Sequence, residues 1–513
     1  MSRASSSHHT TSAGAGHSRW VRVTHWIVAA SVLTLAVSGF TILMAHPRLY
    51  WGAVGNDLTP ALLELPVSRN YRHGGWAVAT QSFPDGGSAV SAVRTYGILN
   101  QDGWARSLHF LAAWFLVVTG AAYLLAGIFT GHLRRDLVPR TGELTRQRLW
   151  NDLSSRLQRK IRAAAGGPPY GLVQKCTYCA VVFLSLPLML ITGMGMSPAI
   201  TAAYPWLCGM FGGSQSARTI HFCVFALLLL FVVVHVVMVA TSGFGRQMRA
   251  MTFGKANMNS ECVITSRRTL ITGLASAGGL LLGGCSETEP PTYGKVLRMG
   301  DLLTYRAQRL LLPTRSLAKE YSRSDITSIP AIGTTDPADP RQWAYNERNG
   351  ALYQRLRSAQ FADWRLRVEG SVARPGSYAL SDLQHFPART QITKHTCEEG
   401  WSAIAEWTGV PLRTVLEAAG IRPSARFVSF YAFDDDAESI DMLDALHPQT
   451  ILAYGMNGGD LPIAHGAPLR LRVERQLGYK SLKFLHRIVV TDRFEDLGKL
   501  SEPRNGWAWY VGI

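Results

Sequence analysis

The chain has 513 residues, a length that suggests more than one domain. Hydrophobic residues make up 47% of it and charged residues only 17%, a low share of charge for a soluble protein. A formal net charge of +17 would indicate nucleic-acid binding only if the basic residues formed one face, but they collect in short stretches between long uncharged runs. This distribution predicts a protein embedded in membrane lipid, with no nucleic acid as a partner.

Four runs without Asp, Glu, Lys or Arg are each long enough to cross a bilayer, which takes about 20 apolar residues. The loop 131–175 between the second and third runs holds ten Lys or Arg against three acids, whereas the loop 46–106 is nearly balanced. The positive-inside rule therefore places the basic loop and both ends of the bundle in the cytoplasm. The predicted spans are 26–45, 107–130, 177–201 and 219–245, and residues 1–18, rich in Ser, His and Gly, predict a disordered tail.

Histidines mark the ends of three of these spans. A single intramembrane histidine is costly and usually functional, although it can instead hydrogen-bond between helices. His221 and His235 are 14 residues apart in the fourth span, which is about 21 Å of helix and returns within roughly 40° to the same face. The predicted topology puts His109 level with His221 at the outer end and His25 level with His235 at the inner end. Two stacked imidazole pairs suit two six-coordinate b haems.

The segments that contain these histidines are distinctive: RVTHW followed by Ser-Gly at 38–39, PLMLITGMGMSP in the third span, and RTIHF…VVVHV in the fourth. They resemble the bacterial cytochrome b561 superfamily, which includes the membrane subunits of formate dehydrogenase, thiosulfate reductase and hydrogenase. The resemblance covers about residues 19–250. It implies a four-helix, di-haem quinone oxidoreductase with the same ligand pairs and a quinone site near His235.

Cys176 and Cys179 form a C-x-x-C at the start of the third span. This spacing is typical of metal and redox sites. One helical turn in a membrane segment, with no second ligand pair, instead favours two small packed residues.

Residues 266–286 read SRRTLITGLASAGGLLLGGCS, within a joining segment predicted at 260–289. The twin arginine Arg267–Arg268 and the 16 uncharged residues after it resemble a twin-arginine export signal, here internal. The ending LGGC resembles a lipobox with Cys285 as its lipidated residue. The alternative is a fifth anchoring helix with small residues at its end. Either interpretation places the C-terminal domain outside the inner membrane.

The C-terminal domain, predicted at 290–513, has the mixed strand and helix pattern of an α+β fold. Its only cysteine is Cys397, in ITKHTCEEGW. An isolated cysteine is most often a small core residue or a nucleophile. No Ser/His/Asp or Cys/His/Asn pattern supports hydrolysis, and no second cysteine supports a disulfide or zinc. A thiolate does suit the single protein ligand of an oxo-metal that is held mainly by a dithiolene cofactor.

Four segments of this domain are WRLRVEGSVARPGSYALSDL, HTCEEGWSAIAEWTGVPL, ILAYGMNGGDLPIAHGAPLRL and GYKSLKFLHRI. They resemble the molybdopterin-binding family of sulfite oxidase and the periplasmic methionine-sulfoxide reductase, over about residue 320 to the end. The resemblance implies that Cys397 ligates molybdenum and that cationic and hydroxyl donors hold the pterin phosphate. The implied cofactor contacts are Cys397, His465, Arg470, Ser481, Leu482 and Lys483, with a looser match that adds Ser328, Ala331 and Ile332.

The sequence departs from this family at several positions. Glu398 follows the cysteine where the family more often has Val, and His465 stands where the reductase has Asn. No arginine cluster like that of sulfite oxidases lies beside Cys397 in the sequence. Glu398, Glu399, His395 and the run Asp434–Asp436 are candidates for lining a substrate funnel, although a run of aspartates is more typical of a solvated loop.

The sequence therefore predicts a membrane four-helix di-haem bundle, fused through a signal-like or anchor helix to a soluble α+β molybdopterin-binding domain with the sulfite oxidase fold. The predicted function is oxygen-atom transfer on a small periplasmic S-oxide, N-oxide or sulfite-like substrate, coupled to quinone through two b haems. The alternative is an electron-transfer or sensor protein whose molybdenum-like domain only docks a partner. The sequence indicates neither the direction of electron flow nor the substrate.

Overall fold

The structure is a computed structural model of the whole chain. It describes residues 17–56, 59–65, 67, 102–157, 171–241, 243–254, 294–327, 336–340, 345, 347–494 and 508–512. Several predictions fall outside these residues: the tail up to residue 16, the segment 260–289 with Arg267, Arg268 and Cys285, and the loop residues Ser328, Ala331 and Ile332.

The chain forms two compact units. The first combines Met1–Ala36, Ala112–Leu190 and Cys223–Leu274, and the second combines Val37–Leu111, Ile191–Phe222 and Ala275–Ile513. The first unit contains His25 and His235. The second contains His109, His221 and the whole C-terminal domain.

Four helices are long and apolar enough to cross a membrane, which confirms the four predicted spans. In the most apolar part of each helix, only 11–28% of the residues are buried inside the protein. The Leu, Val, Ala and Phe side chains that form these helices therefore face outward, as the lipid-facing surface of a bundle does. The four helices are Arg19–Ala45, Asp102–Phe129, Leu172–Met196 and Ser214–Thr241.

The third of these helices is interrupted by a π-helical turn at Val181–Ser185, between the α-helical segments Leu172–Ala180 and Leu186–Met196. Near its start, Cys176 and Cys179 are both free thiols, and Cys179 Sγ lies 3.6 Å from the carbonyl oxygen of Leu137. The shorter helices of the membrane half are Leu133–Leu137 (π), Thr141–Glu143 (3-10), Arg146–Leu157, Pro198–Ala203, Pro205–Gly209 and Phe244–Thr252.

Strands begin after the first long helix, where β1 (Arg48–Leu49) pairs with β2 (Leu63–Glu64). The C-terminal domain then supplies ten further strands: β3 Leu366–Gly370, β4 Gly376–Tyr378, β5 Arg389–Thr396, β6 Ser402–Pro411, β7 Phe427–Ala432, β8 Ala437–Asp441, β9 Ile451–Met456, β10 Gly459–Asp460, β11 Arg470–Arg472 and β12 Leu485–Thr491. Its helices are Gly294–Leu311, Glu347–Ser358, Leu380–His385, Leu412–Ala419 and Met442–Ala445, with 3-10 turns at Arg323–Asp325, Ile463–His465 and Gly478–Lys480.

The strands of the C-terminal domain form two five-stranded sheets. One has the order β10-β9-β6-β5 with β11 beside β9, and all its pairs are antiparallel. The other has the order β4-β3-β12-β7-β8, in which only β3 and β12 run parallel. Alternating apolar residues from both sheets meet in one buried core, to which Trp364, Val368, Phe430, Leu452 and Ile488 contribute. The α+β prediction is confirmed.

Candidate functional site

Cys397 lies in the tight turn of a β-hairpin. Strands β5 and β6 pair in continuous register from Arg389 opposite Gly409 to Thr396 opposite Ser402, so residues 397–401 form the turn. The backbone N–H of Cys397 donates to the Trp401 carbonyl at 2.9 Å, and Gly400 N–H donates to the Cys397 carbonyl at 3.1 Å. The register of eight residue pairs therefore fixes the position of the thiol.

The thiol itself is buried, with 7% of Cys397 exposed, in an apolar cluster that includes Trp401, Trp407, Met456 and Leu461. Burial, followed by the negative charges of Glu398 and Glu399, raises the pKa of Cys397 well above its ordinary value. A thiolate is thus unfavourable here without a compensating positive charge, which a bound metal ion would supply.

Arg470, on strand β11, is buried and joins two loops near Cys397. Its guanidinium donates to the His465 carbonyl at 2.9 Å and to the Ser481 carbonyl at 3.0 Å. Ser481 Oγ in turn accepts from the backbone of Val473, and the Leu482 carbonyl accepts from Leu471 at 2.8 Å. The predicted cofactor-binding residues His465, Ser481 and Leu482 therefore lie around the side chain of Arg470.

Lys483, which is half-buried, adds a second cation to this group. Burial, followed by the positive charge of Arg470, lowers the pKa of Lys483 to about 7, whereas Asp434, Asp436 and Cys397 act in the opposite direction. Asp434 and Asp436 are themselves buried, so the prediction of a solvated loop for these two residues is wrong. Their carboxylates offset part of the positive charge of Lys483.

These residues fit an anionic cofactor. The buried Arg470 forms no ion pair with a carboxylate among the described residues, and its Nε and the His465 Nδ1 have no hydrogen-bond partner there. A buried cation without a partner is strongly destabilising, and charge-assisted bonds to a phosphate would remove that cost. The set of a thiol, an arginine, a lysine and a histidine therefore suits a metal held by a phosphorylated dithiolene ligand.

Three residues beside this group were not predicted from sequence: Arg472, Glu474 and Trp407. Arg472 donates to His395 Nδ1 at 2.7 Å and forms a buried two-point ion pair with Glu474, and Trp407 lies against both Arg470 and Arg472 at 4.8 and 4.5 Å. Alternation along β11, which puts Arg470 and Arg472 on one face of the strand, is the only signal that could have indicated this pair.

Two of the predicted funnel residues have structural contacts instead. His395 is buried against Arg472, and burial with the surrounding cations lowers the pKa of its imidazole well below the ordinary value. Glu399 is buried and accepts from Trp401 Nε1 at 3.2 Å. Glu398 remains half-buried, with Oε2 3.3 Å from Cys397 Sγ. Of the three, Glu398 is the one placed to meet a substrate.

In the second unit, His109 and His221 are each contacted by a hydroxyl residue followed by glycine. Ser38 Oγ lies 3.0 Å from His109 Nδ1, and Thr192 Oγ1 lies 2.9 Å from His221 Nδ1. A Cβ atom on the neighbouring glycines, at 39 and 193, would lie 3.3 and 3.7 Å from the Cε1 atoms of these histidines. An imidazole that donates from Nδ1 presents Nε2 as its lone-pair nitrogen, as an axial haem ligand must.

In the first unit, the rings of His25 and His235 face each other with centroids 6.4 Å apart. Two imidazoles that share one metal, each bonded at about 2 Å, bring their ring centroids to about 6 Å. The observed separation therefore leaves room for one iron. Phe231 and Tyr178 pack against His235 and complete an aromatic enclosure.

The helix that carries His221 begins on the Cys397 hairpin, inside the second unit. Gln215 Nε2 donates to the Gly400 carbonyl and to Ser402 Oγ, both at 3.0 Å, and Lys394 Nζ donates to Ser214 Oγ at 2.5 Å. Gly400 has a φ of +105°, and a Cβ there would lie 3.0 Å from the Nε of Arg218. A non-glycine residue would therefore strain both the turn and this contact.

Comparison with known proteins gives two family matches and several relatives. Residues 16–254 match the family described as prokaryotic cytochrome b561, and residues 354–497 match the oxidoreductase molybdopterin binding domain. A putative protein-methionine-sulfoxide reductase subunit YedZ1 of Azospira oryzae is 34% identical over 250 residues, which are 48% of this chain and 88% of the relative. The N-terminal half therefore belongs to the prokaryotic cytochrome b561 family, and the C-terminal half matches the oxidoreductase molybdopterin binding domain.

Further relatives match the molybdopterin family. A protein-methionine-sulfoxide reductase catalytic subunit MsrP of Xanthomonas campestris is 29% identical over 266 residues, which are 48% of this chain and 76% of the relative. The solved structure of the sulfane dehydrogenase SoxCD from Paracoccus pantotrophus is 26% identical, with a TM-score of 0.25, over 26% of this chain and 39% of that chain.

This cytochrome b561 and molybdopterin fusion is a membrane protein and an oxidoreductase. Its cofactors are the molybdenum cofactor and haem b. The predicted resemblances and the predicted fold class are thereby confirmed. The roles of individual residues in holding these cofactors stay predictions.

Replacing Arg470 should release the molybdenum cofactor. A charge-assisted hydrogen bond contributes about 1.5–3 kcal/mol, so Arg470→Ala should weaken cofactor retention about tenfold to a hundredfold. Molybdenum per chain, measured by mass spectrometry on the purified protein, checks this. Arg413→Ala is the matched control, because Arg413 is exposed and pairs only with Glu417 on its own helix. Equal molybdenum in both variants would contradict the role of Arg470.

Proposed function

We propose that the chain reduces sulfoxides, methionine sulfoxide among them, on the periplasmic side of a bacterial inner membrane with electrons from the quinone pool. The names of the two curated relatives supply the substrate class and the direction. Reduction of a sulfoxide to a thioether and water consumes two electrons and two protons, which a quinol can provide. The alternative is an electron-transfer or sensor protein with a docking domain that does not turn over.

The observation that carries this proposal is the contact between the Cys397 hairpin and the helix of His221. Gln215 reaches the hairpin backbone at 3.0 Å, and His221 lies six residues further along the same helix, about 9 Å of axial rise. A docking-only domain would not require its cysteine turn to be fixed against a haem-ligand helix. An enzyme that exchanges electrons between the two sites requires it.

The presence of all three proposed cofactor-binding residues supports a catalytic domain as well. Cys397 and Arg470 are buried, Lys483 is half-buried, and the three are electrostatically coupled to one another or to shared neighbours. When bound, the molybdenum cofactor supplies oxygen-atom transfer, and haem b supplies single-electron transfer. The chain itself holds the thiol, excludes water around it with Trp401 and Leu461, and presents Glu398 as the nearest carboxyl group for proton delivery.

A thioether or sulfoxide side chain suits the surroundings of Cys397. The neighbouring side chains Trp401, Trp407, Met456 and Leu461 are large and apolar. Sulfur in an unbranched side chain packs favourably against aromatic rings. Arg472 is already paired with Glu474, and Arg470 is the residue proposed to hold the cofactor phosphate, so neither is left to bind a free inorganic anion.

The periplasmic placement rests on charge and on one contact. The loop after the first long helix pairs with the hairpin: Ser402 N–H donates to the Gly55 carbonyl at 2.7 Å, and Asn56 Nδ2 donates to the Ser402 carbonyl at 3.0 Å. The C-terminal domain thus contacts the loop 46–106, which is nearly balanced in charge, whereas the loop that follows the next span, 131–175, is basic. By the positive-inside rule, the loop 46–106 and the domain that contacts it are on the outer side.

Right-side-out membrane vesicles test the function and the placement together. The haems are first reduced through the quinone pool, and an oxidised protein that contains methionine sulfoxide and cannot cross the membrane is then added outside. We expect rapid haem oxidation and thioether formation, with about one molybdenum per chain. Inverted vesicles from the same cells should respond only after they are permeabilised.

The other outcomes separate the alternatives. Molybdenum in the purified protein with no haem oxidation by any sulfoxide, N-oxide or sulfite would contradict the reductase. Absence of molybdenum would favour the docking protein. A response in inverted vesicles alone would reverse the placement and leave the activity intact.

A further inference from the structure

Three of the four predicted haem-ligand histidines follow an arginine at the same spacing. The sequences are RVTH at 22–25, RSLH at 106–109 and RTIH at 218–221. Each arginine lies within the first two turns of its long helix. Neither family match nor the proposed function assigns these arginines a role.

Helix geometry puts each arginine on the face of its histidine. Residues three apart on an α-helix are neighbours on one surface, separated by about 4.5 Å along the axis. The arginine is the residue nearer the helix start, where the unpaired N–H groups also favour negative charge. The repeated spacing therefore places a guanidinium one turn beyond each of these three imidazoles.

Arg106 and Arg218 have no carboxylate partner within the described part of the second unit. Arg106 forms no hydrogen bond there, and its Nε atom is buried. Arg218 donates to the backbone carbonyls of His46 and Arg48, both at 2.5 Å, which leaves its charge without a counter-ion. An arginine that is half-buried and lacks a counter-ion in this way is stabilised by pairing with an anion.

The positive charges are also close to one another. Arg48 and Arg106 both act electrostatically on Arg218, and Arg106 acts on His109. Burial, with the charges of Arg48 and Arg218, holds the pKa of His46 well below its ordinary value, so that imidazole adds no charge. Like charges held together in a buried site repel, and an anion among them would relieve this.

A haem carries two propionate carboxylates on one edge, and the histidine pair fixes where the haem is. We infer that Arg106 and Arg218 bind a propionate of the haem ligated by His109 and His221. Two guanidinium groups suit a carboxylate, because each offers a planar set of donors. The inference rests on the proposed pairing of the histidines.

Arg22 repeats the arrangement in the first unit. Its Nη1 donates to the Thr252 carbonyl at 2.6 Å, and its buried Nε has no hydrogen-bond partner among the described residues of that unit. By the same spacing, Arg22 binds a propionate of the haem ligated by His25 and His235. Each haem thus has its own cationic partner. The positive charge stabilises the reduced haem relative to the oxidised haem.

Potentiometric titration of the purified full chain, followed in the haem absorption bands, tests this. Removing a positive charge beside a propionate favours the ferric haem. Arg106→Gln should therefore lower the reduction equilibrium constant of one haem about tenfold, which is about 59 mV for one electron, and Arg22→Gln should shift the other haem. Arg146→Gln, at the exposed start of the Arg146–Leu157 helix, should shift neither.

Arg106→Lys should keep the midpoint potential of that haem close to the wild-type value, since lysine keeps the positive charge. Unchanged midpoints in Arg106→Gln, with both haems present, would overturn the inference while leaving the histidine pairing intact. Loss of haem in both the Gln and the Lys variants would also overturn it, because packing rather than charge would then be the cause. A wild-type protein without two haems would instead contradict the pairing on which it rests.

Discussion

Cys397→Ser should abolish the exchange of electrons between substrate and haem, while the fold and both haem spectra remain. The physical reason is that the thiolate would complete the metal's coordination and tune its potential, whereas separate residues around Arg470 and Lys483 hold the pterin. The substitution is small, and the hairpin register from 389 to 409 does not depend on the side chain. We therefore expect the variant to keep its cofactor at least in part.

Stopped-flow haem spectroscopy with sulfoxides, N-oxides and sulfite measures the effect. Cys223→Ser is the matched control, because Cys223 is an exposed, free cysteine of the Ser214–Thr241 helix. The control should behave like the wild type. If Cys397→Ser still exchanges electrons with a substrate at the wild-type rate, the molybdenum-ligand assignment is wrong.

Removing His221 or His235 should each eliminate a different haem. The wild-type chain should contain about two b haems by pyridine haemochrome assay, and each single alanine variant about one. The reason is that His221 has its hydroxyl partner Thr192 in the second unit, whereas His235 faces His25 in the first. The two sites therefore have separate ligands and separate supports.

The two losses should have different consequences for electron transfer. His221→Ala removes the haem whose helix contacts the Cys397 hairpin, so substrate should no longer oxidise the remaining haem. His235→Ala should keep oxidation of the remaining haem by substrate and lose its reduction by quinol. Simultaneous loss of both haems in each variant, with the helices still folded, would be incompatible with two separate pairs.

The helices of the membrane half could be predicted in detail because membrane helices are recognised from the length and charge of single segments. A run of about 20 residues without charge can only be a helix in lipid, since every backbone group must be satisfied within the segment. The histidines could be placed by helical spacing alone. The α+β pattern of the C-terminal domain is also local, since the runs WRLRVEGSV, ARFVSFYAF, PLRLRVE and LHRIVVTD contain β3, β7, β11 and β12 in that order.

Contacts between distant segments could not be predicted. Gln215 and Gly400 are 185 positions apart, and neither residue type is unusual at its place in the sequence. The burial of Asp434 and Asp436 was missed for a related reason. A run of aspartates is normally solvated, and the tertiary approach of Lys483 supplies positive charge that makes their burial more tolerable.

The hydrogen bonds between the start of the Ser214–Thr241 helix and the Cys397 hairpin make the electron donor a permanent part of the enzyme. A separate redox partner must find its acceptor by diffusion, and the encounter rate falls on dilution and with added salt. Here the donor is present at an effective concentration set by geometry alone. Each turnover is then a first-order process, and no competing carrier can intercept the electrons between the membrane and the substrate.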